Sequence, residues 1–108
     1  MPTTLGTKIK QLRESHGYTL DKLAELTDSS KSYIWELENK TPPRPSAEKL
    51  SKIAEKLKVT LEYLLDNDGA VTEADAADVH FYRKYQRLDV KTKEKIRSIV
   101  DLWDDNND

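Results

Sequence analysis

The stretch Thr19-Leu20-Asp21-Lys22-Leu23-Ala24-Glu25-Leu26-Thr27-Asp28-Ser29-Ser30-Lys31-Ser32-Tyr33-Ile34-Trp35-Glu36-Leu37-Glu38 decides how this chain folds. Leu20, Leu23, Ala24 and Leu26 give a short helix one apolar side, and Thr19 offers a hydroxyl to its free N-terminal amides. Thr27-Asp28-Ser29-Ser30 contains only turn and cap formers. A second capped helix is predicted from Lys31 to about Glu38, with Ile34 and Leu37 turned inward. The reading is therefore a pair of short helices joined by a tight polar turn.

Upstream, Leu5, Ile9 and Leu12 are spaced four and three apart, which is one face of a first helix, and Gly17 follows as its stop. Downstream, the segment from Asn39 to Pro45 carries Pro42, Pro43 and Pro45 and cannot be helical, because proline lacks a donor and restricts the residue before it. Ser46 caps a fourth helix with Leu50, Ile53, Ala54 and Leu57 on its inner face. Thr60 caps a shorter fifth one with Leu61, Leu64 and Leu65. Asp66-Asn67-Asp68-Gly69 then places a domain boundary, dividing the chain into residues 1–68 and 69–108. Beyond it, Thr72 and Asp75 have the spacing of a capping-box variant. Phe81, Tyr85 and Leu88 repeat at four and three, and Asp89 can cap a last helix whose stripe is Ile96, Ile99, Val100 and Trp103. The expectation is an all-α chain of five helices followed by a C-terminal helical hairpin.

Composition agrees with that class. Of 108 residues, 36% are hydrophobic and 35% charged, enough for one modest core. Three glycines and few aromatics disfavour a β-sandwich or barrel, which needs many turns. The absence of cysteine excludes disulfides and thiolate zinc sites. Met1-Pro2-Thr3-Thr4-Leu5 lacks the apolar stretch of a signal peptide, and no run approaches the ~18 apolar residues of a membrane span. A cytoplasmic protein without membrane contact is expected. His16 and His80 have no second ligand at metal spacing. With no Gly-rich phosphate loop and no nucleophile–base–acid arrangement, neither metal, cofactor nor enzymatic activity is expected.

The net charge of −2 does not by itself suggest a polyanionic partner. Its distribution is uneven, however. Residues 1–65 hold 11 Lys/Arg against 9 Asp/Glu, and residues 66–108 hold 7 against 11, so the front carries +2 and the back −4. A nearly neutral front half can still bind DNA if its cations line one face.

The helix pair meets several independent requirements for reading DNA. It has a small residue, Ala24, where the two helices touch, and Ile34 and Leu37 to lock the second helix at a fixed angle. Its outer face carries Ser30, Lys31, Ser32, Tyr33 and Glu36, polar groups able to reach base edges. Here the sequence resembles the lambda-repressor/Cro-like (Xre-type) helix-turn-helix family. The resemblance rests on Thr19 to Glu25 with Leu23 and Ala24, and on Ser30 to Asn39 with Ile34, Leu37 and Glu38. A proline-containing link then leads to Leu50, Ile53, Ala54, Leu57 and Val59. It covers residues 5 to 66. Two positions depart from the family pattern: Asp28 and Ser29 stand where the turn usually has glycine and a small apolar residue, and Lys40 where glycine often follows the second helix.

The resemblance implies that the second helix enters the major groove, with Ser30, Lys31, Ser32, Tyr33 and Glu36 facing bases. Lys31 would suit guanine acceptors, and Glu36 would accept from cytosine or repel guanine. The helix N-termini at Thr19 and Ser30 suit phosphate. By resemblance, Asn39, Lys40, Thr41 and Arg44 form the loop that holds the DNA backbone. Arg13 and Glu38 match a family ion pair that fixes the second helix to its scaffold. Trp35 is expected to pack on the first helix or the proline loop rather than to face DNA. The alternative for the polar set is a solvated helix face.

One such module contacts few base pairs, and genomic specificity usually needs two half-sites. Phe81, Tyr85, Ile96, Ile99, Val100 and Trp103 are therefore read as a self-complementary dimer interface; the alternative is a hairpin folded back on its own domain. The functional expectation is a dimeric transcriptional regulator, a repressor of a palindromic double-stranded DNA operator, with a regulatory protein encoded nearby as a further partner. An antitoxin or protein-interaction module, whose main partner is another protein, is the competing reading.

Overall fold

In a computed structural model, which describes residues 4–40 and 45–106, the chain is a succession of α-helices with no strand among those residues. They are α1 (Thr4–Ser15), α2 (Leu20–Leu26), α3 (Lys31–Asn39), α4 (Ala47–Lys56), α5 (Leu61–Leu65), α6 (Glu73–Gln86) and α7 (Val90–Asn106).

Local chemistry sets most of the helix starts. Thr19, Ser30, Ser46, Thr60 and Thr72 each have extended backbone, and each side chain accepts from the amide three residues on. Asp89 does the same ahead of α7, with the Thr92 amide 2.7 Å from its Oδ1. Gly17, at φ +72°, carries the chain out of α1 through a left-handed conformation that glycine adopts without strain.

Helices α1 to α5 enclose one core, built from Ile9 and Leu12 of α1, Leu23 and Ala24 of α2, Ile34 and Leu37 of α3, Leu50, Ile53 and Ala54 of α4, Leu57, Val59 and Leu64. Ala76 of α6 is fully buried in the same core, and Val71 packs against it, so the start of α6 is continuous with the first five helices. Helix α7 has no buried position among its described residues. It meets α6 through Tyr85, whose ring has Lys93 Nζ and Arg97 Cζ at 5.6 and 5.8 Å from its centroid.

The closest packing joins α1 to α3. A Cβ on Gly6 would sit 2.4 Å from the Leu37 carbonyl oxygen and 3.0 Å from that of Glu38. Only glycine lets the first helix lie against the last turn of the third.

Candidate nucleic-acid interface

The α2–α3 pair is built to hold one helix at a fixed attitude. Thr27 is fully buried, and its hydroxyl donates to the Leu23 carbonyl at 2.8 Å, closing the end of α2. Asp28 takes φ 53°, which the side chain of aspartate tolerates better than most. The Ser29 amide returns to Ala24 O at 2.8 Å. From α4, Lys49 Nζ donates to the carbonyls of Thr27 and Asp28 at 3.0 and 3.1 Å, tying the turn to the scaffold. Ala24 is buried at the helix contact, while Ile34 and Leu37 seat α3 on the core.

The last turn of α3 carries a buried charge. The Glu38 side chain is 1% exposed, and Arg13 Nε donates to its Oε2 at 2.7 Å. Arg13 Nη2 donates to Oε1 at 3.1 Å and Nη1 to the Tyr18 carbonyl at 2.9 Å. The hydrogen bond to Glu38 raises Arg13 above its ordinary pKa, against the opposing effect of burial. A two-point guanidinium–carboxylate contact fixes direction as well as distance, so α3 is oriented from both ends.

With its buried side fixed, α3 turns Lys31, Ser32, Trp35 and Glu36 outward, with half-buried Asn39 beside them. Lys31 reaches Asp21 at 3.7 Å, but both side chains are largely exposed and such a pair yields readily to another partner. Ser30 is exposed and its oxygen accepts from the Tyr33 amide at 3.0 Å. Thr19 is exposed at the start of α2 and engaged likewise with Lys22. Lys40 is exposed, in extended backbone, which accounts for a lysine where the family pattern often has glycine. Thr41 and Arg44 lie outside the described residues.

The two aromatic side chains of α3 differ in exposure from what the sequence suggests. Tyr33, read as base-facing, is half-buried against the core beside Lys49 of α4, and burial raises its phenol pKa. Trp35, expected to pack inward or on the loop, is 44% exposed on the outer face. The i, i+4 relation of Trp35 to Lys31 and Asn39 was the available signal, because residues four apart share a helix face.

In the hairpin, Phe81, Ile99, Val100 and Trp103 are exposed, while Tyr85 and Ile96 are half-buried where the helices meet. The rings of Phe81 and Tyr85 stack at 6.3 Å. Among the described residues no three His, Asp or Glu side chains are grouped to hold a metal ion, and no helix is long and apolar enough to cross a membrane.

The helix-turn-helix family profile matches residues 9–64, which takes in α2, the turn and α3 together with their scaffold. The chain belongs to the helix-turn-helix family of Cro/Xre type. That family consists of DNA-binding transcriptional regulators rather than enzymes. The chain is similar to the HTH-type transcriptional regulator SinR of Bacillus subtilis (strain 168), at 39% identity over 62 residues. The match takes in 57% of this chain and spans about 56% of the length of that curated relative. Among solved structures, SinR in complex with DNA superposes with a TM-score of 0.55 at 39% identity, covering 57% of this chain and 98% of that one. A SinR protein/SinI protein complex superposes over 95% of this chain and 97% of the other, with a TM-score of 0.57 at 26% identity. This second likeness extends beyond the family-profile residues into the C-terminal helices.

Proposed function

We propose that this chain is a sequence-specific double-stranded DNA-binding regulator that acts in the cytoplasm as a dimeric repressor of a two-fold symmetric operator. One observation carries the reading: α3 is locked by Ile34, Leu37 and the buried Glu38–Arg13 pair while Lys31, Ser32 and Glu36 stand outward. A helix so anchored can present the same donors and acceptors to successive base edges. SinR, its relative, has been captured on DNA with a domain that matches residues of this same unit. Lys31, Ser32 and Glu36 are the base-reading set. Lys40, the α3 N-terminus at Ser30, Thr19 and Asn39 serve the phosphates, with Thr41 and Arg44 continuing the loop.

Exposed apolar surface on the hairpin supports dimerisation. Phe81, Ile99, Val100, Leu102 and Trp103 are 57–66% exposed in the single chain. Between the two helices a groove of about 390 Å³ is lined in part by Ala77, Phe81, Tyr85, Leu88 and Ile96. The buried Tyr85 hydroxyl has no hydrogen-bond partner among the described residues. A second copy docked on this face would cover the apolar groups and bring two α3 helices to adjacent turns of the duplex, about 34 Å apart. The SinR/SinI likeness favours a second reading for the same face, a partner protein competing with the second copy.

Selection of bound duplexes from a random pool, with Lys31→Ala/Ser32→Ala run beside the wild type, tests the first claim. A two-fold motif that the variant loses is expected, with log affinity falling against log salt by about 0.9 per phosphate contacted. No enrichment by either protein would refute it. Sedimentation of Ile99→Asp/Trp103→Asp tests the second: the wild type should run at twice 12.5 kDa and the variant at 12.5 kDa. A wild type that stays monomeric at operator-binding concentrations would refute the dimer.

A further inference from the structure

The outward face of α3 has an apolar centre that the polar reading set does not use. Trp35 lies one turn after Lys31 and one turn before Asn39, with Ser32 three residues behind it. The indole is 44% exposed although its neighbours on that face are polar. Its stem is held: Asn39 Nδ2 donates to the Trp35 carbonyl at 2.9 Å, bracing the last turn of the helix. Its ring is attended by Lys40, whose Nζ is 5.5 Å from the centroid. An exposed cation–π contact of this kind is weak and exchanges easily for a phosphate.

Trp35 is the one large apolar ring on the outward face of α3, and Lys40 lies beside it. In the major groove the bases display hydrogen-bonding groups and one apolar feature, the 5-methyl of thymine. Lys31, one turn before Trp35, and Lys40, just past the end of α3, are both exposed and supply positive charge to this end of the chain.

We propose that Trp35 is a specificity-determining contact, its indole packing on the 5-methyl group of a thymine in each half-site while Lys40 leaves the ring for the neighbouring phosphate. The inference rests on the DNA-binding reading above and adds a residue and a base to it. Hydroxyls and ammonium groups on the same helix discriminate by hydrogen bonds; Trp35 discriminates by excluding water from a methyl. Burying one methyl is worth about 0.8 kcal/mol, which is about fourfold in affinity per half-site and roughly sixteenfold for a two-fold site.

The test begins from the operator selected by the wild-type chain. Each thymine of the motif is replaced in turn, in both half-sites, by deoxyuridine, which removes the 5-methyl and changes no hydrogen bond. Affinities are measured for the wild type and for Trp35→Ala at one salt concentration. The wild type should lose roughly sixteenfold at one symmetry-related pair of thymines, the value obtained above. Trp35→Ala should bind the thymine operator more weakly and be indifferent to uracil at that pair. Because the uracil scan on the wild type needs no variant, the inference stays falsifiable even if Trp35→Ala folds poorly. Three outcomes overturn it: a motif without A·T pairs, tolerance of uracil at every thymine, or an unchanged uracil penalty in Trp35→Ala. A pool from which the wild type enriches no motif refutes the DNA-binding reading itself, and this inference with it.

Discussion

Replacing Arg13 by methionine should nearly unfold the helix-turn-helix unit, and replacing its partner as well should restore much of what is lost. The Glu38 carboxylate is 1% exposed and, among the described residues, accepts two hydrogen bonds from the Arg13 guanidinium, at 2.7 and 3.1 Å. Removing the arginine leaves a carboxylate in a site with almost no water access, a loss of about 3–5 kcal/mol. The Tyr18 carbonyl, which accepts from Nη1 at 2.9 Å, loses a partner worth about 1 kcal/mol. Domains of this size have a total stability of about 5–15 kcal/mol, so the single variant consumes a large part of it. In Arg13→Met/Glu38→Met the buried charge is gone and apolar side chains of similar length fill the space. Such replacements of a buried pair are often neutral or stabilising.

Urea unfolding followed by far-ultraviolet circular dichroism is the suitable assay, since Trp35 and Trp103 are 44% and 66% exposed and would report unfolding poorly by fluorescence. With a slope of about 1–3 kcal/mol per molar urea, Arg13→Met should lower the midpoint by 1 M or more. The double variant should recover at least half of that shift. An Arg13→Met variant within about 1 kcal/mol of the wild type would refute the reasoning, because a median surface ion pair costs no more than that to break. So would a double variant no more stable than the single, since the damage would then lie in lost packing around Arg13 rather than in an orphaned charge.

Two further predictions follow from local geometry. Gly6→Ala should destabilise the chain by about 1–2 kcal/mol, because the overlap with the backbone oxygens of Leu37 and Glu38 outweighs the roughly 1 kcal/mol gain in helix propensity; a higher urea midpoint than wild type would contradict it. Asp66 lies below the usual carboxylate range because it accepts from the backbone amides of Val71 and Asp68, so its contribution is complete above the ordinary pKa near 4 and is lost as pH falls through the lowered value. Asp66→Asn should therefore melt below the wild type at pH 6 and coincide with it near pH 2, and a constant offset across that range would contradict the charge-based account.

What could be read in the sequence divides by the range of the interaction involved. Thr19, Ser30, Ser46, Thr60, Thr72 and Asp89 were legible because an N-cap bonds an amide three residues away, and every determinant lies within one turn. Asp28, at φ 53°, stands where the family pattern has glycine, whereas the left-handed Lys58 carries no such mark and passed unread. Gly6 was opaque for the opposite reason: its role depends on carbonyls more than thirty residues downstream. Lys49 likewise carries no local mark of its role, which is set by α4 bringing its Nζ onto the turn carbonyls. The Arg13–Glu38 pair was legible only through family resemblance, since twenty-five residues of sequence separate the two. That Tyr33 is half-buried and Trp35 exposed was not legible, because both are large aromatics flanking Ile34, and residue type alone does not say which side of that anchor is wet.

The hairpin poses a different problem, because an apolar stripe has the same sequence whether it meets its own domain or another chain. The fold separates the two parts of the question. Helix α6 is joined to the reading unit: Ala76 enters its core, His80 Nε2 lies 3.1 Å from Glu55 of α4, and Arg83 lies 3.5 Å from Glu62 of α5. Helix α7 rests on α6 and leaves its own stripe outward. Ala76 in the core is the buried link between α6 and the reading unit, while the Arg83–Glu62 pair is exposed on both sides and adds little to it. In a two-fold dimer closed on α7, the separation of the two α3 helices would follow from these contacts, and with it the spacing of half-sites the dimer accepts. A chain in which α6 swung freely would tolerate many spacings and gain little from its second copy beyond added charge.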